Sequence, residues 1–215
     1  MKNVDDLIES AAELAEHGHS KGEIADELNV SRETASWLVE RADGPAAPAT
    51  TDTTAPAGGP QDIHVDWSAV GRDSYRLEAV TSAMADLLAK QGEDVDLTVG
   101  IEKAGAPIAT HIASNLDTDL SSYAPSKHQW DEGELDTDVG GSFSRNFAQI
   151  RDRDCYVVDD TITSGTTMTE TIEAIQDEGG NPVAACVLVD KQGLDEVQGV
   201  PVYSLFQVIS VGSDE

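Results

Sequence analysis

Residues 155–167 read Cys-Tyr-Val-Val-Asp-Asp-Thr-Ile-Thr-Ser-Gly-Thr-Thr, and this stretch decides the fold. Residues 155–158 are a short unbroken apolar run, the pattern of a strand buried on both faces. The run stops at two carboxylates, Asp159 and Asp160. A turn of hydroxyls and one glycine comes next, and residues 168–177 then carry a helical pattern. Strand, acidic pair, Thr/Gly turn and helix together describe the carboxyl edge of an open α/β sheet, where such folds bind ligands. Around that turn, Thr161, Thr163, Ser164, Gly165, Thr166 and Thr167 can aim backbone N–H groups and hydroxyls at a phosphate. The N-terminus of the helix adds positive potential. Asp159 and Asp160 cannot hold the phosphate, but they can accept hydrogen bonds from sugar hydroxyls beside it. The pattern suits a sugar phosphate.

Outward from this stretch the chain repeats strand and helix signals. An edge strand is expected at 63–67 and a helix at 74–90, burying Leu77, Val80, Met84, Leu87 and Leu88. A strand at 97–101 leads into Glu102-Lys103-Ala104-Gly105-Ala106-Pro107 and a helix through His111. Small residues after a strand let backbone approach a ligand closely. A short strand at 120–123 precedes a polar loop over 124–141, a length that is usually functional or mobile in a compact domain. That loop holds Lys127 and His128 among many acids. Further buried strands are expected at 182–189, ending in Asp190-Lys191-Gln192, and at 202–211.

The N-terminal part reads differently. Residues 4–16 place Val4, Leu7, Ile8, Ala11, Leu14 and Ala15 on one helical face, and Gly18 ends that helix. Ser20-Lys21-Gly22-Glu23 is a capping box opening a second helix that buries Ile24, Ala25 and Leu28. Asn29 tolerates the left-handed turn that stops it, Val30 fills the turn, and Ser31 caps a third helix to about Arg41. Two short helices joined so tightly, with small Ala25 at their contact, read as a helix-turn-helix. Ser31, Arg32, Glu33, Thr34 and Ser36 then lie at the end of the recognition helix that meets base edges. Against this, residues 1–42 carry four basic and ten acidic side chains, a net of −6, which is poor for generic phosphate attraction. A small helical protein-interaction module is the competing reading. Residues 43–62 are Pro, Ala, Thr and Gly with almost no large apolar residue, a linker partly extended by its prolines.

The 215 residues carry 41 acidic and 13 basic side chains, a formal charge of −28, yet 39% of them are hydrophobic and fall in periodic runs. That excludes an acidic disordered chain. So large a charge repels itself in dilute buffer, whereas in molar salt the Debye length is only roughly 3 Å. A cytoplasmic protein of a salt-rich interior is expected. Cys155 and Cys186 sit in apolar runs as small hydrophobes. They form neither a zinc pattern nor a disulfide framework. No apolar run reaches membrane-spanning length, so no membrane partner is expected.

Residues 155–167 resemble the phosphoribosyl-pyrophosphate (PRPP) motif of type I phosphoribosyltransferases, with all three parts in order. Residues 100–109 resemble the pyrophosphate-binding loop of those enzymes, with Lys103 where orotate phosphoribosyltransferases often carry a lysine. The 124–141 loop sits where those enzymes carry a flexible catalytic loop, and Lys127 and His128 keep half of its pattern. Lys191 stands where an arginine commonly grips the orotate carboxylate; a lysine offers a point charge in place of a planar fork.

The resemblance implies an α/β fold with an open, mostly parallel sheet flanked by helices, over 63–215. Joined to the 1–42 helix-turn-helix through the 43–62 linker, the chain resembles the haloarchaeal GfcR-type regulators, relatives of orotate phosphoribosyltransferase that control sugar-catabolism genes. Membership of that group would make it a homodimeric, DNA-binding regulator that senses a phosphorylated effector: PRPP, a nucleotide or a sugar phosphate. Asp159, Asp160, the 161–167 turn, Lys103, Ala104 and Lys191 would bind the effector, and promoter DNA would be the other partner. No resident cofactor is required, although Mg2+ can accompany a pyrophosphate ligand. The alternative is an active phosphoribosyltransferase using PRPP and Mg2+, with Lys127 and His128 stabilising departing pyrophosphate.

Overall fold

Side chains near the helix ends shape the N-terminal part of the fold. In the computed structural model, which describes residues 4–42, 62–92, 94–126 and 141–209, three helices pack around one small core: α1 (Val4–Glu16), α2 (Lys21–Glu27) and α3 (Arg32–Ala42). The capping box is present in full, with Ser20 N–H donating to Glu23 Oε2 at 2.5 Å and Glu23 N–H to Ser20 Oγ at 3.3 Å. Asn29 takes the left-handed conformation at φ 51°, and Ser31 Oγ accepts from Thr34 N–H at 3.1 Å to start α3. Leu7, Ala11, Ile24, Ala25, Leu28, Val30, Ala35 and Leu38 form the core. Val4, expected on the buried face of α1, is exposed; it is the first residue of the helix, where none of the described residues covers it. Trp37, to which the sequence assigned no position, packs against the core edge under the Arg41 guanidinium, 5.3 Å from its ring centre.

The chain divides into two compact units, Met1–Trp67 and Ser68–Glu215. Residues 62–67 correct one expectation, since no strand forms from Ile63 to Trp67. Asp62 and His64 instead bond to the α2–α3 turn of the first unit. Most of the linker expected at 43–62, and both Lys127 and His128, lie outside the described residues.

The second unit is an open sheet. Its elements are α4 (Ser68–Gly71), α5 (Ser74–Ala89), β1 (Leu97–Ile101), α6 (Gly105–Leu116), β2 (Asp119–Ala124), β3 (Ser142–Phe143), β4 (Asp154–Ile162), α7 (Thr166–Asp177), β5 (Asn181–Asp190), β6 (Glu196–Val197) and β7 (Val200–Gln207). The strand order is β3-β2-β1-β4-β5-β7-β6. The five central strands run parallel, and the short outer strands β3 and β6 are antiparallel. β1 is buried along its whole length, as is most of β4 and β5, because helices cover both faces of a parallel sheet. Thr81, Met84, Ala85 and Leu88 make the buried stripe of α5. That stripe is rotated from the expected one, leaving Leu77, Val80 and Leu87 half-buried. Thr81 can enter it because its hydroxyl donates to Leu77 O at 2.8 Å.

Two further boundaries next to the acidic pair differ from expectation. The strand carrying the acidic pair runs on to Ile162, with Asp159 opposite Val187 and Thr161 opposite Val189. Asp159 and Asp160 therefore lie inside the β4–β5 ladder rather than beyond it. The helix after them begins at Thr166, not at residue 168. The register of β4 against β5 shifts between Cys155 and Tyr156, where Pro182 faces Cys155; a proline has no N–H to give the ladder.

Candidate functional site

The sheet changes direction between β1 and β4. From β1 the chain crosses through α6 to β2 on one side, and from β4 through α7 to β5 on the other. Because β1 and β4 are parallel neighbours, the loops leaving them emerge at the same edge, and their crossovers part company there. This is the topological switch point, where open α/β sheets leave a crevice. The two loops meet closely. A Cβ added to Gly105, the first residue of α6, would lie 2.6 Å from Val158 O and 2.9 Å from Asp159 Cα. Only glycine permits that approach. The peptide between Glu102 and Lys103 is cis, and Lys103 is exposed beside half-buried Ala104.

Both helices that start at this edge lack a side-chain cap. Ala104 precedes α6, and Gly165, at φ 78°, precedes α7, neither with a side-chain hydrogen bond to the first turn. Ser164 Oγ lies 3.4 Å from Thr166 N and 3.0 Å from Thr166 Oγ1. Two helices thus start at one edge, beside a loop that carries Thr163, Ser164, Thr166 and Thr167; helix N–H groups and hydroxyls are the kind of donors that suit an anion. Asp160 is nearly buried, and Asp159 Oδ1 accepts from Asp160 N–H at 2.8 Å. Thr161 Oγ1 stands 3.4 Å from Asp160 Oδ2. Among the described residues, no cluster of three or more His, Cys, Asp or Glu side chains is arranged to hold a metal ion.

Several residues that the sequence did not single out hold this edge in shape. Gln192 Nε2 donates to Thr163 O, tying the loop after β5 to the loop after β4. Leu194 Cδ1 lies 3.4 Å from where a Cβ on Gly165 would stand. Asp190, 2% exposed, accepts from the N–H groups of Gln192, Gly193 and Leu194 at 2.8 to 2.9 Å. An aspartate bonding to backbone two to four residues on is a turn signal, and Asp190 to Gly193 carried it in plain view. Lys191 is half-buried, and its own N–H donates to Ile162 O at 3.0 Å.

On the other side of the edge, Glu170 of α7 accepts from Tyr123 Oη at 3.1 Å and from Ser126 N–H at 2.8 Å. Burial raises the Tyr123 phenol above its ordinary range, and the Glu170 charge and hydrogen bond raise it further. Glu102 accepts from Ser122 Oγ and donates its N–H to Tyr123 O at 2.8 Å. No local pattern marks Glu170, whose partners stand 47 and 44 residues away.

In the first unit, α2, the turn and α3 make the expected helix-turn-helix. Arg32, at the start of α3, is exposed, with a guanidinium nitrogen 3.5 Å from the place a Cβ on Gly22 would take. Glu33 is exposed, and Thr34 and Ser36 are half-buried. Ser36 Oγ accepts from Lys21 Nζ at 2.5 Å, and the same ammonium reaches Glu40 Oε1 at 3.3 Å. Lys21 of α2 therefore reaches across to the exposed side of α3.

The phosphoribosyl transferase domain family matches residues 66–214, the segment that forms the open sheet and its switch-point edge. Among solved structures the chain is similar to the orotate phosphoribosyltransferase of Aeropyrum pernix. The TM-score is 0.54 at 21% identity, covering 70% of this chain and 81% of that one. It is also similar to the adenine phosphoribosyltransferase of Thermoanaerobacter pseudethanolicus, with TM-score 0.55 at 17% identity, covering 69% and 89%. At such identities the likeness concerns the fold.

The relatives along the whole chain are of another kind. The chain is 72% identical over 216 residues to the transcriptional regulator GfcR of Halorubrum lacusprofundi, covering all of both chains. It is 69% identical over 214 residues to that of Haloarcula marismortui, covering 100% of this chain and 99% of the other. The chain belongs to the GfcR family of transcriptional regulators, built on a phosphoribosyltransferase fold.

Among the described residues, no helix is long and apolar enough to cross a membrane.

Proposed function

We propose that this regulator binds promoter DNA through Ser31, Arg32, Glu33, Thr34 and Ser36, acts as a homodimer on sugar-catabolism genes, and senses a phosphorylated metabolite at the switch-point edge. The observation that carries the effector site is the convergence of two uncapped helix N-termini, at Ala104 and Gly165, beside Asp159 and Asp160. Phosphate oxygens find N–H and hydroxyl donors at residues 163–167, while the carboxylates accept from ribose hydroxyls. Lys103 and Ala104 line the pyrophosphate side, and Lys191 faces whatever the ribose carries. Mg2+ enters only with a pyrophosphate ligand.

Orotate transfer is absent in this reading. The base side offers Lys191, which lacks the two-pronged geometry of an arginine for a carboxylate. The segment holding Lys127 and His128 also carries Asp131, Glu132, Glu134, Asp136 and Asp138. Those charges oppose the negative charge that builds on departing pyrophosphate. Support for DNA binding comes from the helix-turn-helix and from whole-length relatives that carry the regulator name.

The test measures binding of the chain in molar KCl to promoter fragments, with and without PRPP, beside an assay of orotate absorbance with PRPP and Mg2+. PRPP-dependent DNA binding without orotate loss is the expected result. Turnover on the order of one per second or faster, the ordinary enzyme range, would establish the phosphoribosyltransferase reading instead.

A further inference from the structure

The two helices of the helix-turn-helix solve the same problem by different means. A capping box needs an acceptor three residues into the helix to take the N–H of the capping residue. In α2 that acceptor is Glu23, within the same turn. In α3 the equivalent position is Thr34, whose hydroxyl sits 2.9 Å from Ser31 Oγ and leaves the Ser31 N–H to another partner. The partner is a carboxylate from 31 residues along the chain: Ser31 N–H donates to Asp62 Oδ2 at 2.5 Å.

A second anchor lies next to it. His64 Nδ1 is 2.5 Å from Leu28 O, the carbonyl at the end of α2. Residues 62–67 thus hold the turn between the two helices at both of its ends, by one carbonyl and one N–H. They are also the last residues of the first unit before the chain enters the second at Ser68.

We propose that residues 62–67 are an autoinhibitory strap, with Asp62 supplying the capping-box carboxylate whose place in α3 is taken by Thr34, at the end of the helix that must approach DNA. The inference rests on the DNA-binding function proposed above. The start of a recognition helix lies against a phosphate-lined groove, and a fixed carboxylate there repels that backbone, a like-charge cost that also sets specificity. With the strap seated, α3 is well capped but shielded. With the strap withdrawn, Ser31 N–H is exposed at a positive helix end, free for a phosphate oxygen. The strap runs directly into the second unit at Ser68. A molecule of charge −28 then has a switch that acts on one carboxylate at one place.

The experiment uses the full chain in molar KCl and a labelled duplex enriched from a random-sequence pool by the wild-type protein. Asp62→Asn keeps the size of the side chain and removes its charge. It should bind the duplex more tightly on the order of tenfold, the weight of one charge-assisted hydrogen bond that no longer competes. Glu9→Gln, the same charge change on the exposed side of α1, should bind as wild type. Hydrogen exchange at the Ser31 amide should quicken in Asp62→Ala.

Weaker binding by Asp62→Asn would show a merely structural cap and overturn the proposal. Equal tightening by Glu9→Gln would reduce it to net charge and overturn it as well. Unchanged Ser31 exchange in Asp62→Ala would remove the contact itself. If the wild type enriches no duplex, the DNA-binding function falls and takes the strap with it. If a duplex is enriched but Asp62→Asn binds it no tighter, the strap alone falls.

Discussion

The helices of the two units begin in opposite ways. In the first unit, α2 and α3 start on Ser20 and Ser31, each with a hydroxyl accepting from the first turn. In the second, α6 and α7 start on Ala104 and Gly165, which offer no side-chain acceptor to their first turns. α5, away from the sheet edge, is capped by Asp73, which accepts from Arg76 N–H at 3.0 Å. A cap satisfies the donors a helix leaves open, so a capped start is complete in itself. The starts without a side-chain cap from their N-cap residue coincide with the carboxyl edge of the sheet, where Ser164 Oγ reaches the Thr166 N–H at 3.4 Å. The first unit therefore closes the starts of α2 and α3 with its own side chains, whereas α6 and α7 begin without a cap-residue side chain.

The most severe way to break the comparison is to crowd the uncapped edge. Gly105→Ala puts a Cβ against the backbone of Val158 and Asp159, which cannot move aside as a flexible side chain would. Overpacking of this kind costs roughly 1–3 kcal/mol, read by chemical denaturation, and PRPP binding should be lost in calorimetry along with it.

Asp159→Asn with Asp160→Asn removes charge and leaves the edge in place. PRPP affinity should fall on the order of tenfold, since hydroxyls bond more weakly to neutral acceptors than to carboxylates. Both residues lie within the β4–β5 ladder and Asp160 is nearly buried, so the Asp160 change should account for most of any loss of stability. Equal PRPP binding by wild type and the double variant would mean that the acidic pair serves the fold.

Ser20→Ala tests the other side of the comparison. Losing the cap should cost about 1 kcal/mol in the first unit's unfolding, with PRPP affinity unchanged. A matching loss of PRPP affinity would show that the caps serve the ligand edge too.

A last effect, confined to high pH, concerns the thiols. Burial pushes both Cys155 and Cys186 up to about 12, so at pH 8 neither should react with a thiol reagent until the protein is unfolded. The folded value lies above the usual 9.0, so the stability that protonated thiols contribute is intact below pH 9. It is lost as pH rises from there toward about 12. Denaturation midpoints measured across that window should decline.

Much of this was legible in the chain. Ser20 and Glu23, Asn29 and Ser31 act on neighbours within three or four residues, so spacing alone revealed the helix-turn-helix. The apolar run from Cys155 and the Thr/Gly turn after it likewise carry their meaning locally. The strand expected at 63–67 misled because alternation over so few residues suits an edge strand and a docked strap equally.

What only the tertiary structure decided is every pairing between distant residues. Parallel strands must pair across crossovers, so the approach of Gly105 to Asp159, the Gln192–Thr163 tie and Glu170 beneath Tyr123 leave no periodic trace. Side-chain chemistry and short-range spacing determined which segments fold and which residue types can meet a phosphate. The order of strands around β1 and β4 decided that two uncapped helix starts share one edge, because the chain reverses its winding there and nowhere else among the central strands.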